Sequence, residues 1–389
     1  MQISITTPGS KSISNRALFL SAFSEKPIKF KNLADCDDTA YMLQGLKKLK
    51  GSSPIKIYTG NAGTTTRFLT ALATLSGKKI IIDGDKRMKK RPIDPLAKAL
   101  NKLGAKVKTT NGCPPLTIEP QKLKGGTVSI PGNISSQYIS ALLMLAPFAE
   151  KETTINIVQK LYSKSYIKMT IKLMKAFGIK VLNKNFKQFR VKPQKIKFPS
   201  SYTIESDASS ASYIGGYAAL HPNKTIAIKN LSKKSIQGDI KFLSLLEKMG
   251  NSTPLKALGK VDMNETPDLV MTFAILAAYA KGTTHITNIA NLRIKETDRL
   301  HALKNELSKL GIKVKTTKDS IKIEGNPKLI ENPPTHKITI ETYNDHRMAM
   351  CFGMIQDLIP HLKIKNPSCV SKSYSTFWKD LKLMQKNGR

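Results

Sequence analysis

The chain has 389 residues, which is enough for two or more domains with hydrophobic cores of their own. Its 64 Lys and Arg against 27 Asp and Glu give a formal net charge of +37, and 40% of its residues are hydrophobic. The longest apolar runs, 141–149 and 273–280, fall far below the ~20 residues of a membrane-spanning helix, and no secretory pattern opens the sequence. We therefore expect a globular protein of the cytosol.

Cysteine and histidine spacing does not indicate a metal site. The four Cys are scattered without a CxxC pair, and the six His form no HxxxH-like cluster. We expect reduced thiols and no bound metal.

Lys residues are dispersed and aromatic residues make up only 6%, so no stacking platform for nucleic acid is predicted. Most of the charge is attributed to biased composition, and nucleic-acid binding is the alternative.

Six polar starts of apolar, small-residue-rich helices follow one another along the chain. Ser, Thr, Asn and Asp suit such positions because their side chains accept hydrogen bonds from the unpaired N–H groups of a first helical turn. The six starts lie near Ser10, Asn61, Asn133, Asp207, Thr266 and Asn344. Because nearly all side chains that follow are apolar, we expect these helices to be buried.

A second series of six helices is Lys-rich and amphipathic, and each ends at a glycine, the residue that favours the left-handed conformation after a helix. The glycines are Gly51, Gly104, Gly178, Gly250, Gly311 and Gly388. Each lies 41 to 45 residues after the preceding polar start, and a strand-like Ala-Lys-Val or Ile-Lys-Val follows Gly104, Gly178 and Gly311. This regularity predicts six strand–helix–strand–helix–strand repeats.

Alternating strands and helices predict an α/β protein, and six repeats exceed what one core holds. We therefore expect two domains of three repeats each. The crossing is predicted at the Lys-rich segment Lys192–Ser201 and the strand Tyr202–Glu205. The N-terminal domain is assigned to residues 11–205 and the C-terminal domain to residues 1–10 plus 206–389, because the short first strand precedes the first repeat.

Basic residues gather at the helix starts, where an N-terminus already carries about half a positive charge and free N–H groups. They are Lys11, Arg16, Arg67 and Arg347. A guanidinium is a bidentate fork that matches carboxylate or phosphate, so the pattern predicts an anion site assembled from several helix starts.

The stretch Asn291–Arg299 is highly charged, with five charged residues in nine. If Lys295–Arg299 is helical, Lys295 and Arg299 project from one face, and Glu296 lies within reach of Arg299. A strand is predicted at His285–Ile289 before it, and an amphipathic helix follows. Taken alone, the stretch fits a solvated loop, and a site held between two rigid elements is the other interpretation.

Six motifs resemble those of the 5-enolpyruvylshikimate-3-phosphate synthase family, in order and over nearly the whole chain. They are Pro8–Arg16, Asn61–Thr64, Arg87–Ile93, Ser135–Gln137, Lys295–Arg299 and Asn344–Met348. The resemblance implies a two-domain inside-out α/β barrel of six repeats, three per domain, that closes on shikimate 3-phosphate and phosphoenolpyruvate. It also implies transfer of the enolpyruvyl group to the 5-hydroxyl of shikimate 3-phosphate, with release of phosphate through a tetrahedral intermediate. A monomer is expected.

The resemblance also implies the residues that bind shikimate 3-phosphate. Ser12 and Arg16 resemble the holders of its shikimate carboxylate, and Ser163 would add a hydroxyl to its phosphate. The full implied set is Lys11, Ser12, Arg16, Ser135, Ser136, Gln137, Ser163, Asp268, Asn291 and Lys295. Asp207, Ser209 and Ser210 are interpreted as structural caps.

For phosphoenolpyruvate, the resemblance implies a backbone N–H at Gly63 and the side chain of Arg91 at the phosphate, with Arg299 and Arg347 clamping the carboxylate. The full implied set is Lys11, Gly63, Arg91, Gln137, Arg299, Arg347 and Lys372.

Addition followed by elimination needs one acid/base group near C3 of phosphoenolpyruvate and another near the attacking hydroxyl. The resemblance implies Glu296 for the first and Asp268 for the second, with Lys11 as the rival for either proton. No metal or organic cofactor is required by these steps.

The chain departs from the family pattern in places. The segment between Gly51 and Asn61 is short, in a place where the family carries a further strand pair, and Thr65, Thr66 and Phe68 replace more typical residue types. The nearest alternative is the UDP-N-acetylglucosamine enolpyruvyl transferase family, which has a reactive Cys before its Arg-Pro motif. Residues 85–90 contain no Cys, which favours the shikimate enzymes.

Overall fold

The computed structural model describes residues 2–250 and 254–386. By its internal contacts the chain divides into two compact units. The N-terminal unit is Gly9–Ile204, and the C-terminal unit combines Met1–Pro8 with Glu205–Arg389. The predicted last helix stop, Gly388, lies outside the described residues.

The α-helices alternate with strands along the chain. They are α1 (Lys11–Ser21), α2 (Asp37–Leu49), α3 (Gly63–Ala73), α4 (Asp94–Lys102), α5 (Ser136–Leu145), α6 (Lys164–Ala176), α7 (Ala208–Leu220), α8 (Phe242–Met249), α9 (Val270–Ala278), α10 (Arg299–Ser308), α11 (His346–Gly353) and α12 (Phe377–Lys386). Short 3-10 turns include Pro267–Leu269, Ala290–Ile294 and Pro367–Lys372.

The strands are short. They are β1 (Ile3–Ile5), β2 (Lys29–Lys31), β3 (Ile55–Tyr58), β4 (Ile80–Asp83), β5 (Lys106–Thr110), β6 (Cys113–Glu119), β7 (Gly126–Pro131), β8 (Thr153–Val158), β9 (Leu182–Lys184), β10 (Gln188–Val191), β11 (Ser201–Thr203), β12 (Ile226–Ile228), β13 (Gly259–Asp262), β14 (Gly282–Thr287), β15 (Lys313–Thr316), β16 (Ile321–Gly325), β17 (Ile338–Ile340) and β18 (Leu362–Ile364).

One sheet pattern recurs in both units. A parallel pair is extended by two antiparallel strands in the orders β3-β4-β6-β5 and β7-β8-β10-β9 of the N-terminal unit, and β13-β14-β16-β15 of the C-terminal unit. The pairs β2–β11, β1–β12 and β17–β18 are parallel two-stranded sheets. In the pair of β2 with β11, Ser201 lies opposite Lys29.

Each unit is built around helices that are buried on nearly every side. All residues of α3 are buried in the N-terminal unit, and all residues of α9 are buried in the C-terminal unit. In contrast, α4 buries a single stripe that includes Leu96 and Leu100. Apolar sequence therefore predicted burial correctly, because a helix that is hydrophobic all round must lie inside the core. In the described ranges, no helix is long and apolar enough to cross a membrane.

Most predicted helix boundaries are confirmed. Ser10 and Asp207 directly precede α1 and α7, and the Asp207 carboxylate accepts a hydrogen bond from the Ser210 N–H at 2.7 Å as a cap. The predicted glycine stops at 104, 178, 250 and 311 have positive φ, as a left-handed residue after a helix requires. At Gly51 the predicted helix end is also confirmed, since α2 ends at Leu49, but Gly51 does not have a positive φ and its N–H donates to the Lys48 carbonyl instead.

Three predicted strands differ in their bounds. The strand expected after Gly178 begins only at Leu182, because the Gln194 side chain binds both the N–H and the carbonyl of Lys180. The strand predicted at Tyr202–Glu205 is β11, which begins one residue earlier and ends two residues earlier. The strand predicted at His285–Ile289 is β14, which ends before Asn288, where φ is +60°.

Candidate active site

In the N-terminal unit, the start of α1 holds Lys11 beside a buried carboxylate. The Lys11 Nζ lies 3.1 Å from the Asp38 Oδ2 in the first turn of α2. Thr65 in α3 donates to the Asp38 carbonyl at 2.7 Å and accepts from the Asn15 side chain at 3.3 Å. Hydrogen bonds therefore fix the beginnings of α1, α2 and α3 against one another, and Thr65 is a structural residue at that junction.

Arg16 lies inside the same unit, one turn further along α1, with only 1% of its surface exposed. Its Nε donates to the Thr170 hydroxyl at 2.7 Å, its Nη1 to the Ser12 carbonyl at 2.8 Å and its Nη2 to Ser140 at 3.3 Å. Its guanidinium also lies 5.2 Å from the centre of the Phe68 ring. Burial lowers the pKa of Arg16 to about 10, and the side chain joins α1 to α5 and α6.

Two guanidinium groups meet at the start of α3. A Cβ on Gly63 would lie 2.6 Å from both the Arg67 Nη1 and the Arg91 Nη2, so a larger residue there would require both guanidinium groups to shift. Arg67 donates to the Gly63 carbonyl at 2.9 Å, and Arg91 donates to the Asn61 carbonyl and side chain at 3.1 and 3.0 Å. Two cations beside a helix N-terminus attract an anion to this point.

The start of α5 is tied to the start of α3. Ser135 caps α5 by accepting a hydrogen bond from the Gln137 N–H, and the Gln137 Nε2 donates to Thr64 at 3.0 Å. Ser136 is buried in the first turn. Ser163 is also buried and precedes α6 with a φ of +57°, an unusual conformation for serine. The structure thus joins Gln137 to the loop of Gly63 through Thr64.

In the C-terminal unit, Arg299 lies at the centre of three carboxylates. Its Nε and Nη2 bind both oxygens of Asp345 at 2.8 and 3.2 Å, its Nη2 binds Glu296 at 2.9 Å, and its Nη1 binds Asp268 at 3.1 Å. Arg299 is 1% exposed. Burial alone would lower the pKa of Arg299, but the three carboxylates outweigh that effect and raise it.

Arg347 holds the other oxygen of Asp268, with an Nη2–Oδ2 distance of 2.8 Å, and donates to the Tyr213 hydroxyl at 3.1 Å. Burial would raise the pKa of Asp268, but Arg347, Lys295 and Arg299 together hold it far below its usual range. Asp268 is therefore a carboxylate with a guanidinium on each oxygen.

A fourth acid, Asp239, lies behind this network. It is buried, accepts a hydrogen bond from the Ser209 hydroxyl, and feels the charge of Asp268. Burial, with Asp268 as the next cause, raises the pKa of Asp239 to about 7. Ser209, interpreted from sequence as a cap, binds this carboxyl instead.

The geometry of the charged stretch differs from the sequence-based expectation. Lys295 has extended backbone angles, and α10 begins only at Arg299, because Asp298 caps that helix by accepting from the His301 N–H at 3.0 Å. Lys295 and Arg299 therefore do not share a helical face, and that prediction is wrong. Glu296 nevertheless reaches Arg299, as expected, from a non-helical segment.

Two further predicted site residues lie on 3-10 turns of the C-terminal unit. Asn291 is buried in Ala290–Ile294, and Lys372 is 8% exposed at the end of Pro367–Lys372. Among the described residues, no group of three His, Cys, Asp or Glu side chains could hold a metal ion.

Comparison with known proteins identifies the family. The family model of EPSP synthase (3-phosphoshikimate 1-carboxyvinyltransferase) matches residues 1–56 and 51–381. The chain belongs to the EPSP synthase family. It is 42% identical over 417 positions to the 3-phosphoshikimate 1-carboxyvinyltransferase of Buchnera aphidicola subsp. Cinara cedri, covering 98% of this chain and 94% of that protein. It is 40% identical over 416 positions to that of Sulfurovum sp., covering 97% and 95%.

The fold agrees with this assignment. The structure of EPSP synthase from Acinetobacter baumannii matches with a TM-score of 0.78 at 24% identity, covering 98% of this chain and 95% of the other. The chain therefore has the mixed α/β, two-domain fold of that enzyme. The alignment with the Sulfurovum protein spans 416 positions, more than the 389 residues of this chain. The two ranges matched by the family model overlap at residues 51–56, at the start of the segment that the sequence indicated to be short.

Four residues that contact predicted site residues were not assigned a role from the sequence. In the N-terminal unit, Asp38 contacts Lys11 and Thr64 contacts Gln137. In the C-terminal unit, Asp345 contacts Arg299 and Tyr213 contacts Arg347. A signal was present for three of them. Asp38 is an acid in a first helical turn, Thr64 belongs to the Asn61–Thr64 motif, and Asp345 belongs to the Asn344–Met348 motif. Tyr213 carried no such signal, because its contact with Arg347 joins distant parts of the sequence.

Proposed function

We propose that the chain transfers the enolpyruvyl group of phosphoenolpyruvate to the 5-hydroxyl of shikimate 3-phosphate and releases phosphate. The reaction proceeds by addition and elimination through a tetrahedral intermediate and belongs to chorismate and aromatic amino acid biosynthesis. The matches to the family over nearly the whole chain support this function. The observation within the structure that carries it is the pair of guanidinium groups, Arg299 and Arg347, arranged around Asp268 beside Glu296.

The two guanidinium groups suit the carboxylate of phosphoenolpyruvate. Each binds oxygens of Asp268 at 2.8 to 3.1 Å, so both already point their donors at one carboxylate-sized group. An incoming substrate carboxylate would compete with Asp268 for these donors. Each N–H that turns to the substrate removes a favourable charge contact from Asp268 and therefore raises the basicity of that carboxylate.

This competition gives the acid/base groups their roles. Asp268, fully ionised in the free protein, becomes a better proton acceptor when phosphoenolpyruvate occupies the guanidinium groups, and it then accepts the proton of the attacking hydroxyl. Glu296 gives a proton to C3 during addition and takes one back during elimination. Lys11 remains the rival for either proton, and its ammonium lies 3.1 Å from the buried Asp38.

The N-terminal unit contributes hydroxyls, amides and isolated cations. The backbone N–H of Gly63 with Arg91 and Lys11 binds the phosphate of phosphoenolpyruvate, together with Lys372 of the C-terminal unit. Gln137 contacts both substrates. For shikimate 3-phosphate we propose Lys11, Ser12, Arg16, Ser135, Ser136 and Ser163 on the N-terminal unit, and Asp268, Asn291 and Lys295 on the C-terminal unit. Cations at these positions stabilise charge that develops on the leaving phosphate.

We further propose that the two units are domains of three repeats each and form the inside-out α/β barrels of the family. The recurring four-stranded sheet supports this repeat structure. Residues 11–205 form the first domain, and residues 1–10 plus 206–389 form the second. The enzyme works in the cytosol as a monomer and uses no metal or organic cofactor.

The test is phosphate release by the purified full chain with phosphoenolpyruvate and either shikimate 3-phosphate or UDP-N-acetylglucosamine. We expect release with shikimate 3-phosphate alone. Release with the nucleotide sugar instead would identify the other enolpyruvyl transferase activity. Release with neither substrate, together with salt-dependent retention on RNA, would identify a nucleic-acid-binding protein.

A further inference from the structure

The positive charge of the chain is unequally divided between the units. The N-terminal unit contains 36 Lys and Arg against 10 Asp and Glu, whereas the C-terminal unit contains 28 against 17. The net charges are therefore +26 and +11. Within the N-terminal unit, residues 153–204 contain 12 Lys and Arg and no acidic residue. This acid-free segment includes α6, β9, β10 and β11.

Three of its lysines contact aromatic rings. The Lys164 and Lys168 ammonium groups lie 4.4 and 5.9 Å from the centre of the Phe186 ring, and the Lys160 ammonium lies 5.8 Å from the centre of the Tyr162 ring. We name Lys160, Lys164 and Lys168 the ring-backed lysines. Cation–π contacts restrict where an ammonium group lies without neutralising its charge.

The ring-backed lysines flank a predicted substrate contact. Ser163 stands between Lys160 and Lys164 in sequence, directly before α6, and its hydroxyl is proposed above for the phosphate of shikimate 3-phosphate. The first turn of α6 contains no acidic residue, whereas α2 and α4 carry acids there. The approach to Ser163 is therefore more positive than the corresponding starts of the other amphipathic helices in this unit.

Many acids of the unit are engaged elsewhere. At least five of the ten form ion pairs with cations other than the ring-backed lysines. These acids are Asp38, Asp83, Asp94, Glu119 and Glu152. A surplus of cations that persists after such pairing attracts multiply charged anions over a distance set by the ionic strength, about 10 Å at 0.1 M salt.

We propose that the ring-backed lysines form an electrostatic approach surface that draws phosphorylated substrate to Ser163. The proposal rests on the proposed function, because it takes shikimate 3-phosphate as the anion. These lysines raise the local concentration of the substrate and its rate of capture, and they take no part in the chemical step. Capture should therefore depend on ionic strength, whereas turnover at saturation should not.

The test compares two triple variants of the full chain. Lys160→Gln, Lys164→Gln and Lys168→Gln together remove the approach surface. Lys102→Gln, Lys106→Gln and Lys108→Gln remove the same charge from exposed positions at the end of α4 and on β5 of the same unit. For each protein, kcat and kcat/KM for shikimate 3-phosphate are measured between about 0.01 and about 0.5 M salt, where screening changes from weak to nearly complete.

We expect the first variant to lose about tenfold in kcat/KM at low salt with kcat unchanged, and to match the wild type at high salt. The control variant should change by less than about twofold. Replacement of the same three lysines by Arg keeps the charge and should retain the wild-type salt dependence. Lys168→Gln alone provides a smaller effect of the same kind if the triple variant folds poorly.

Equal salt slopes in the wild type and the first variant would overturn the proposal, as would a loss of kcat that salt does not remove. Retention of the wild type on RNA, lost in the first variant while kcat/KM is unchanged, would assign the surface to nucleic acid instead. If the wild type releases no phosphate at any salt concentration, the proposed function fails before the approach surface is tested.

Discussion

The two units organise their charged residues in different ways. In the N-terminal unit, Lys11, Arg67 and Arg91 lie at helix starts and bind mainly backbone carbonyls, amides or one carboxylate. In the C-terminal unit, Arg299 and Arg347 belong to one network with three carboxylates. The first arrangement places cations beside helix N-termini, which favour an anion, whereas in the second a substrate carboxylate would have to compete with Asp268 for the guanidinium donors. We therefore expect substrate binding to change the proton affinity of Asp268 in the C-terminal unit.

The largest effect is expected from Arg299→Ala. It leaves Asp268, Glu296 and Asp345 without their shared cation in a buried place, so unfolding should become easier by about 3–5 kcal/mol. Binding of phosphoenolpyruvate should weaken more than binding of shikimate 3-phosphate. Denaturant titration and substrate titration measure the two effects.

The matched control for that variant is Arg293→Ala. Arg293 pairs with Asp298 at 2.7 Å but is partly exposed, and such pairs contribute about 1 kcal/mol or less. Equal destabilisation by the two substitutions would contradict the central role of Arg299.

Glu296→Gln is expected to have the next largest effect. The amide keeps the size of the side chain but cannot exchange a proton, so turnover should fall by about 10²-fold or more while substrate binding persists. Steady-state rates and equilibrium binding separate these outcomes. Glu265→Gln, which alters an ion pair with Lys241 in the same unit, should leave turnover unchanged. Wild-type turnover in Glu296→Gln would remove this residue from the mechanism.

Gly63→Ala tests the loop of the N-terminal unit. The new methyl group would lie 2.6 Å from guanidinium nitrogens of Arg67 and Arg91, so both side chains must shift. We expect KM for phosphoenolpyruvate to rise by about tenfold, equivalent to about 1.4 kcal/mol, with little change in KM for shikimate 3-phosphate. An unchanged KM for phosphoenolpyruvate would show that this loop does not bind its phosphate.

Asp239→Asn should change the pH dependence of stability. A carboxyl with a pKa raised from 3.8 to about 7 stabilises the folded state fully only below 3.8, and that contribution is lost as pH rises toward 7. The amide variant should therefore gain stability relative to the wild type by about 1 kcal/mol or more at pH 8 compared with pH 4. Thermal unfolding at the two pH values measures this difference, and parallel curves would contradict it.

Thr64→Val is expected to have the smallest effect. It removes the acceptor of the Gln137 amide at 3.0 Å, a contribution of about 1 kcal/mol, so KM for phosphoenolpyruvate should rise about fivefold or less. Thr64→Ser keeps the hydroxyl and should restore the wild-type KM. Equal values for both variants would mean that the hydroxyl does not position Gln137.

Local chemistry explains which features could be predicted from the sequence. The caps at Ser135, Asp207 and Asp345 depend on a few neighbouring residues, so polar helix starts located α5, α7 and α11 to within three residues. The Arg299–Asp345 contact joins residues 46 apart, and the Gln137–Thr64 contact joins residues 73 apart. Spacing along the chain contains no information about such contacts. At Lys295–Arg299 the helical pattern was misleading because the cap at Asp298 delays the helix.

The parallel pairing of β1 with β12 affects how the chain is synthesised. Ile3 lies opposite Ile226 in the C-terminal unit and is made 223 residues before it. At about 5–20 residues per second, β1 must wait on the order of ten seconds or more for its partner strand to be made. The N-terminal unit, Gly9–Ile204, is completed within that interval, before β12 is made. A single cut of the gene between the units would therefore leave β1 attached to the wrong fragment, whereas a circularly permuted gene that begins at residue 9 would keep both units contiguous.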